Sequence, residues 1–511
     1  MLVPVGRIGQ TLDNDAPGYV FTPDTYVTLA LAYDSLAAPT VRADAQGILQ
    51  PDYRTMQRRL AVGWQELPNG DWIVQLRPGV FSHAGNEFTA DDLAWTLDRA
   101  TAHGVMGCWR WREVVGVEKV DLIDRHTLRY CLRAPYPTFP NWLLSVSPNV
   151  LDSKAVRERS TGEDPWSVAW LDRHVAGFGA YDLAEMDADH IRYTGRTRAW
   201  QGVPEPHEIE ARKIASRRDA IALLDEARPV VLAGLDPDET AALLGRDDVA
   251  VVRTWAGHVS VEIDFTLPPF DDIRVRHALA CATPTERIIR EGLLGQAKPW
   301  RSPVKSISQW YSEAGWDFGF DPARARRLLA EAGHGAGFGS ELYLTHRADS
   351  LRMAEIIRDA WREIGVEITL RDVKDAPAGW LPPLFLRPEC GHNLSEPVYD
   401  IVHDYAAMNP IFPLPGGAPR VGNWRPRWKK NPEAIERIGR LLCDHDREHR
   451  RAAFDDLQQW LIGFSSSIFI AEGQQVMAAN RRVPAAMISP EGRFYQALNH
   501  QNCTTNYLPE R

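Results

Sequence analysis

The sequence predicts an α/β protein with two or more lobes, judged from its length and from two stretches of alternating periodicity. A single hydrophobic core stops growing at roughly 250–300 residues, and this chain has 511. In the stretches 204–265 and 322–372, apolar residues change between the spacing of a helix and that of a strand. Helices and strands that alternate along a chain are typical of α/β folds.

The first hundred residues contain local signals for a helix, a hairpin and a second helix. An apolar-rich run predicts a helix over 27–36. Residues 63–67 and 72–76 alternate apolar and polar side chains around an Asn-Gly pair, which is the strongest short-range signal of a β-hairpin. Thr89 is predicted to cap a helix over 90–101, with two aspartates in the first turn, where the helix dipole favours acids.

Further elements follow in chain order. Two strands are predicted at 117–121 and 127–132. The first alternating stretch predicts helix, strand, helix and strand at 218–226, 230–232, 238–244 and 259–265. After a boundary at Pro268 and Pro269, a helix is predicted at 275–282. The second stretch predicts helix, strand, helix and strand at 322–332, 341–345, 351–364 and 367–372. Loops, an amphipathic helix and an apolar strand are predicted at 375–430, 432–463 and 468–479.

The composition argues against several classes of function. A net charge of −10 disfavours a nucleic-acid partner, because phosphate binding requires a clustered basic surface. No stretch approaches the ~20 apolar residues of a membrane span. Phosphate-loop, dinucleotide-binding, nucleophile-elbow and zinc-protease motifs are absent from the sequence, so we expect no catalytic residue and no cofactor. The 18 tryptophans suit either a pocket for ring-shaped ligands or simple core packing.

Cysteine, histidine and N-terminal patterns leave some questions open. Six scattered cysteines allow one or two disulfides, whose pairing stays open. His445 and His449 have a metal-capable spacing, but the acids and arginines around them favour a solvated helix, so no metal site is expected. Residues 1–15 lack a basic segment followed by an apolar one. We therefore expect either that a secretory signal has been removed or that the protein stays inside the cell.

Four motifs together resemble a known family. Residues 72–92 are WIVQLRPGVFSHAGNEFTADD, residues 269–279 are PFDDIRVRHAL, and residues 321–333 are DPARARRLLAEAG. A shorter motif, GFGAY, lies at 177–181. In this order, over essentially the whole chain, they resemble the peptide/nickel/opine class of extracytoplasmic solute-binding proteins, family 5.

The resemblance implies a two-lobed periplasmic-binding-protein type II fold. Lobe I would comprise 1–262 and 475–511, with an extra subdomain at about 48–175, and lobe II would comprise 263–474. Two hinge strands would join the lobes near 259–265 and 469–477. The Arg274 and Arg276 pair at the start of a helix is interpreted as structural salt bridging.

The resemblance also implies a function. It indicates a monomeric ABC-transporter substrate-binding protein that captures a small polar solute in an interdomain cleft and delivers it to permease subunits. Such a protein is periplasmic or tethered outside the membrane. The alternative is a cytoplasmic protein that reuses this fold, including as an enzyme of specialised metabolism.

Ligand-binding residues are carried over from the family at three places. Trp109 or Trp111 would form an aromatic wall, and Tyr33 would either contact the ligand or pack in the core. The third place covers His403, Asp404, Tyr405 and Met408, followed by Asn423, Trp424 and Arg425.

The third place also bears on ligand class. Peptide binders of the family carry an acid that pairs with the ligand ammonium where this chain has the segment 406–409, Ala-Ala-Met-Asn. Because an unpaired buried charge is expensive, an ordinary dipeptide is disfavoured relative to an opine or a sugar conjugate. A shift of the alignment by a few residues would bring Asp404 into the anchoring position and restore peptide binding. The segment 421–428 would alternatively be a surface loop of stacked Trp and Arg side chains.

Overall fold

The structure, a computed structural model, describes residues 1–6, 8, 11–13, 31–102, 116–133, 135–136, 139–140, 150–304, 306, 308, 310–345, 347–375, 382–387, 431–443 and 446–488. The strands are β1 (Leu2–Val5), β2 (Ala37–Ala43), β3 (Leu49–Arg58), β4 (Ala61–Glu66), β5 (Trp72–Leu76), β6 (Val117–Asp124), β7 (Thr127–Leu132), β8 (Tyr181–Met186), β9 (His190–Gly195), β10 (Glu208–Lys213), β11 (Val231–Ala233), β12 (Val249–Ile263), β13 (Ala297–Pro299), β14 (Phe338–Leu344), β15 (Val366–Asp372), β16 (Leu384–Arg387) and β17 (Ser467–Asn480).

The α-helices are α1 (Ala90–Ala102), α2 (Ser153–Arg157), α3 (Val168–Leu171), α4 (Arg217–Ala222), α5 (Pro237–Leu244), α6 (Ile273–Cys281), α7 (Thr285–Arg287), α8 (Pro322–Glu331), α9 (Ala348–Arg362), α10 (Pro432–Cys443), α11 (Arg447–Phe464) and α12 (Ala485–Ile488).

The chain divides into two compact units. Unit 1 contains the described residues of Met1–Leu235, Ala242–Thr254 and Val476–Thr505, and unit 2 contains those of Asp236–Ala241 and Trp255–Gln475.

Unit 1 contains two four-stranded sheets. In the first, β1 lies parallel to β10, and β9 and β8 follow as antiparallel neighbours. In the second, β4, β5, β7 and β6 are all antiparallel. β2 and β3 pair with each other, and β11 pairs with the end of β17. The core of this unit includes the buried side chains Val3, Tyr33, Trp95, Tyr193 and Ile209.

The Asn-Gly hairpin predicted over 63–76 is confirmed, as β4 and β5. Gly70 has a φ of +88°, which residues with a Cβ rarely adopt. The Asp71 carboxylate behind this turn accepts hydrogen bonds from Leu132 N–H at 2.9 Å and from Arg129 Nε at 2.8 Å. Burial raises the pKa of Asp71, but the hydrogen bonds outweigh burial and hold it below its usual value. Asp71 thus ties the hairpin to β7.

The helix predicted to start after Thr89 is confirmed, as α1. Asp92, in its first turn, accepts a hydrogen bond from Thr89 N–H at 2.8 Å, the backward half of a capping box. The other carboxylate oxygen of Asp92 accepts Ser153 N–H at 2.8 Å, at the start of α2. One side chain therefore holds two helix N-termini together.

Unit 2 is built on parallel and antiparallel strands covered by helices. β14 has two parallel neighbours, β15 and β16, and β16 is antiparallel to β12. β13 is antiparallel to β17. The predicted start of α8 is confirmed: the side chain of Asp321 accepts Arg324 N–H at 2.8 Å, and Pro322 occupies the first turn. The core includes Leu279, Leu329, Leu342, Trp361 and Ile368.

Several predicted boundaries differ in the structure, and the stretch 375–430, predicted to be loops, contains the strand β16 (Leu384–Arg387). The helix predicted to reach residue 36 ends at Ala32, because β2 begins at Ala37. The strand predicted over 259–265 is the final part of β12, which starts ten residues earlier, at Val249. The helix predicted over 432–463 is divided into α10 and α11, because Asp446 accepts two backbone N–H groups and caps a new helix start.

Candidate functional site

Most of the predicted ligand residues lie outside the described residues. This holds for Trp109, Trp111, His403, Asp404, Tyr405, Met408, Asn423, Trp424 and Arg425. Tyr33 is described and is 2% exposed, in the core of unit 1. Its hydroxyl oxygen accepts Ala176 N–H at 3.4 Å, and its ring packs against Gly177. Tyr33 therefore has the surroundings expected from core packing, and its contact with a ligand stays a prediction.

Asp34, next to Tyr33, is a buried acid whose acceptor positions are occupied. Its carboxylate accepts hydrogen bonds from Arg59 Nε at 2.6 Å and from Trp200 Nε1 at 3.0 Å. It also accepts the side-chain N–H of Gln201 and the backbone N–H of Ser35. Asp34 thus has a structural role in unit 1.

A different polar cluster lies in unit 2, on one face of β17 and on the strands beside it. β17 carries Glu472 and Gln474, β13 carries Lys298, and β12 carries Trp255. Lys298 stands directly opposite Glu472 in the β13–β17 pair, so their side chains project from the same face. Glu472 and Gln474 are two residues apart, so they also share a face. We call these four side chains the β17 cluster.

Glu472 is the buried acid of the β17 cluster, with 0% of its surface exposed. One carboxylate oxygen, Oε2, accepts the Ser306 hydroxyl at 2.6 Å and the Ser306 N–H at 3.3 Å. The Lys298 ammonium lies 3.4 Å from the same oxygen. The other oxygen, Oε1, is buried and has no hydrogen-bond partner within the part of the chain that the structure describes.

Gln474 and Lys298 add further hydrogen-bonding groups. Gln474 is 5% exposed, and its Oε1 is also buried without a hydrogen-bond partner among the described residues. Lys298 is the more accessible member, with 32% of its side chain exposed. Its ammonium lies 4.4 Å from the centroid of the Trp255 ring, a cation–π contact that holds the ammonium in place.

Aromatic side chains support the segment that carries Lys298. The Trp300 ring lies 4.6 Å from the His258 ring and 4.8 Å from the Phe469 ring, measured between centroids. Trp300 Nε1 donates to the carbonyl of Val304 at 3.0 Å. The residues that follow Lys298 are therefore packed against aromatic rings, and this packing fixes the position of β13 in the β17 cluster.

The strand β17 was predicted from the sequence, but the β17 cluster was not. Residues 468–479 were interpreted as an apolar strand, and Glu472 and Gln474 are polar residues inside that run. A glutamate and a glutamine two positions apart in a predicted buried strand could have indicated a polar site, because polar side chains are rarely buried without a bonding partner.

The described residues also contain one group with metal-compatible spacing. Donor atoms of Glu185, Asp187 and His190, on the β8–β9 hairpin, lie within 4.8 Å of one another. The two acids are exposed, and Glu185 already pairs with Arg192. His449, part of the histidine pair considered above, is exposed, and its partner His445 lies outside the described residues. In the described part of the chain, no helix is both long and apolar enough for a bilayer crossing.

Comparison with known proteins identifies relatives of this chain. A family model described as "Bacterial extracellular solute-binding proteins, family 5 Middle" matches residues 55–387. The glutathione-binding protein GsiB of Pectobacterium atrosepticum is 23% identical over 471 residues, which are 91% of this chain and 89% of that protein.

Two solved structures are similar in fold. MoaA of A. tumefaciens R10, in complex with mannopinic acid, has a TM-score of 0.71 and 19% identity, and the match covers 94% of each chain. DppA of Helicobacter pylori, a periplasmic protein in complex with the peptide STSA, has a TM-score of 0.72 and 16% identity over 97% of each chain.

These matches confirm the predicted fold class, the α/β type II periplasmic-binding-protein fold. They also confirm the predicted class of function, substrate capture for an ABC transporter, since the relatives are transport binding proteins. The family model covers well over half of the chain. The chain therefore belongs to family 5 of the bacterial extracellular solute-binding proteins.

Proposed function

We propose that this protein captures a small polar solute outside the cytoplasm and passes it, chemically unchanged, to the permease of an ABC importer. The solute would be an opine, a sugar conjugate or a peptide-like molecule. Three of the proteins to which the chain is similar are named for glutathione or are bound to mannopinic acid or to a short peptide. All of these ligands are small and polar, and each carries several hydrogen-bonding groups.

The observation that carries the proposal is the β17 cluster. A buried carboxylate and a buried amide, each with an acceptor oxygen that no described residue satisfies, are costly in a folded protein unless another molecule supplies the partner. A binding protein can tolerate this cost, because the ligand supplies the missing partners. The cluster therefore supports binding of a polar ligand.

We propose that Trp109 or Trp111 contributes an aromatic contact and that 403–425 supplies further ligand contacts. We also propose that the two compact units correspond to the expected lobes, that the protein acts as a monomer, and that it performs no catalysis.

A thermal-shift screen tests the proposed capture. Purified protein is heated with opines, sugar-conjugated amino acids, dipeptides and glutathione, each at a series of concentrations. A ligand that binds only the folded state stabilises it by RT ln(1 + [L]/Kd), which is about 2.7 kcal/mol at one hundred times Kd. At least one compound should raise the unfolding temperature in a saturable way. If none of these classes does so, the proposed function is wrong.

A further inference from the structure

We infer that Glu472 and Gln474 hold the hydroxyl groups of a polyhydroxylated ligand, with Lys298 as a third hydrogen-bonding partner. This inference rests on the proposed capture function and names the chemistry of the captured solute. It begins from two buried acceptor oxygens, Glu472 Oε1 and Gln474 Oε1, that have no hydrogen-bond partner among the described residues. Both side chains are more than nine-tenths buried.

The spacing of the two side chains suits a ligand with more than one hydroxyl. Residues two apart on a strand project from the same face, about 6.6 Å apart along the strand. Two acceptors carried side by side on one strand face can bind separate donors of one molecule. A polyol or sugar chain offers several such donors along its carbons, whereas a single ammonium group offers its donors at one point.

The charge balance favours a neutral donor over a cation. Lys298 lies 3.4 Å from Glu472 Oε2 and compensates the carboxylate. A second ammonium at Oε1 would have to approach the Lys298 ammonium, and like charges at close range repel each other. A hydroxyl group carries no charge and meets no such repulsion.

A hydroxyl group also matches both kinds of partner in the cluster. It donates one hydrogen bond and accepts others, so it can donate to Glu472 and accept from the Lys298 ammonium. The amide of Gln474 can present either its oxygen or its nitrogen, and a hydroxyl pairs with both. Because Lys298 is the partly exposed member of the cluster, we expect the ligand to enter on its side.

Three probes that all contain glutamate distinguish recognition of hydroxyl groups from recognition of an ammonium group. Mannopinic acid is glutamate bearing a mannityl chain on its nitrogen, alanyl-glutamate bears an alanyl residue with a terminal ammonium on the same nitrogen, and glutamate itself bears neither substituent. Fructosyl and glucosyl conjugates of glutamate extend the polyhydroxylated set. Titration calorimetry should show that at least one polyhydroxylated conjugate binds at least tenfold more tightly than alanyl-glutamate. Tighter binding of alanyl-glutamate or glutathione than of every conjugate overturns the inference but leaves the proposed capture intact. Absence of binding by the whole set and by glutathione overturns both.

Variants test whether the affinity for the polyhydroxylated conjugate arises from the β17 cluster. Glu472→Gln and Gln474→Leu should each weaken binding of the tightest polyhydroxylated conjugate at least tenfold. Gln475→Leu, at the next position of β17 and directed to the opposite face, is the matched control and should leave affinity unchanged. Thermal unfolding without ligand reports whether each variant folds. If Glu472→Gln and Gln474→Leu lower stability but leave affinity unchanged, the oxygens are satisfied by structural water and the inference is wrong.

Discussion

The Lys298 ammonium lies 3.4 Å from the Glu472 carboxylate, directly across the β13–β17 pair. The two side chains differ in exposure, because Lys298 is partly exposed and Glu472 is completely buried. Removing the partner of a buried charge leaves that charge uncompensated, which is more costly than losing an exposed ion pair. The pair therefore sets the charge balance of the β17 cluster.

Replacing Lys298 should destabilise the fold. Lys298→Met keeps the apolar stem beside Trp255 but removes the charge. We expect the free energy of unfolding to fall by about 1–3 kcal/mol in urea denaturation, since Glu472 loses a buried partner. Lys119→Met is the control, because Lys119 pairs with Asp121 at an exposed position and should lose no measurable stability. Equal effects of the two substitutions would contradict the structural role of the pair.

Arg276 caps the end of α11, and its substitution is expected to destabilise the fold. Its guanidinium donates twice to the carbonyl of Phe464, at 3.0 and 2.8 Å, and once to that of Phe270 at 2.8 Å. Burial lowers the pKa of Arg276 to about 10, which still leaves it charged at neutral pH. Arg276→Lys cannot span these carbonyls and should cost about 2–4 kcal/mol in chemical denaturation.

The neighbouring arginine provides the control for that substitution. Arg274 is exposed and pairs with Asp272, so Arg274→Lys should change stability little. A similar loss of unfolding free energy in both variants would show that the buried hydrogen bonds of Arg276 do not account for its effect on stability.

Gly177 lies where the backbone approaches another segment too closely for a side chain. A Cβ at this position would be 2.5 Å from the carbonyl oxygen of Ala32 and 2.5 Å from Tyr33 Cδ1. Gly177→Ala should therefore lower the free energy of unfolding by at least about 2 kcal/mol. A Cβ at Gly162 would meet no atom within 4 Å, so Gly162→Ala is the matched control. Equal unfolding temperatures for the two variants would refute this close approach.

His83 should make stability depend on pH in the mildly acidic range. Burial, followed by the charge of Arg196, lowers the pKa of His83 to about 3, and Gly177 N–H donates to its Nδ1 at 3.0 Å. The unfolded chain takes up the proton near pH 6.5. The stabilisation from neutral His83 is therefore complete above pH 6.5 and is lost as pH falls from 6.5 towards 3.

A variant isolates this contribution. His83→Asn keeps an acceptor but cannot bind a proton. Between pH 6 and 4 its unfolding free energy should fall less steeply than that of the wild type, by up to about 1.4 kcal/mol per pH unit. Identical slopes in urea denaturation would show that His83 is not buried in its neutral form.

The sequence was most informative where structure is determined locally. The hairpin turn at Gly70, the capping residues Thr89 and Asp321, and the helix stop at Gly333 each depend on residues a few positions away. Turn and cap chemistry acts over that range, so the hairpin at Gly70, the helix start after Thr89 and the helix over 322–332 were predicted correctly, whereas the cap by Asp321 was recognised only in the structure.

Features that depend on distant residues were not predictable. β2 and β3 contain Pro39 and Pro51, and proline argues against a strand in sequence analysis. Arg276 was interpreted as structural salt bridging, but it hydrogen-bonds carbonyls, one of them 188 residues away. Glu472 meets Ser306 across 166 residues, so the two polar residues within the predicted strand could mark a buried polar site but could not reveal its partners.

Recovery of the bound solute tests the central claim, capture without conversion, most directly. The tightest ligand of the thermal-shift screen is titrated calorimetrically, the complex is held for several hours, and the solute is released by denaturation and weighed by mass spectrometry. We predict one equivalent bound per chain and full recovery of the solute with unchanged mass. Recovery of a product of different mass, formed in proportion to time and protein concentration, would contradict the claim and identify the protein as an enzyme.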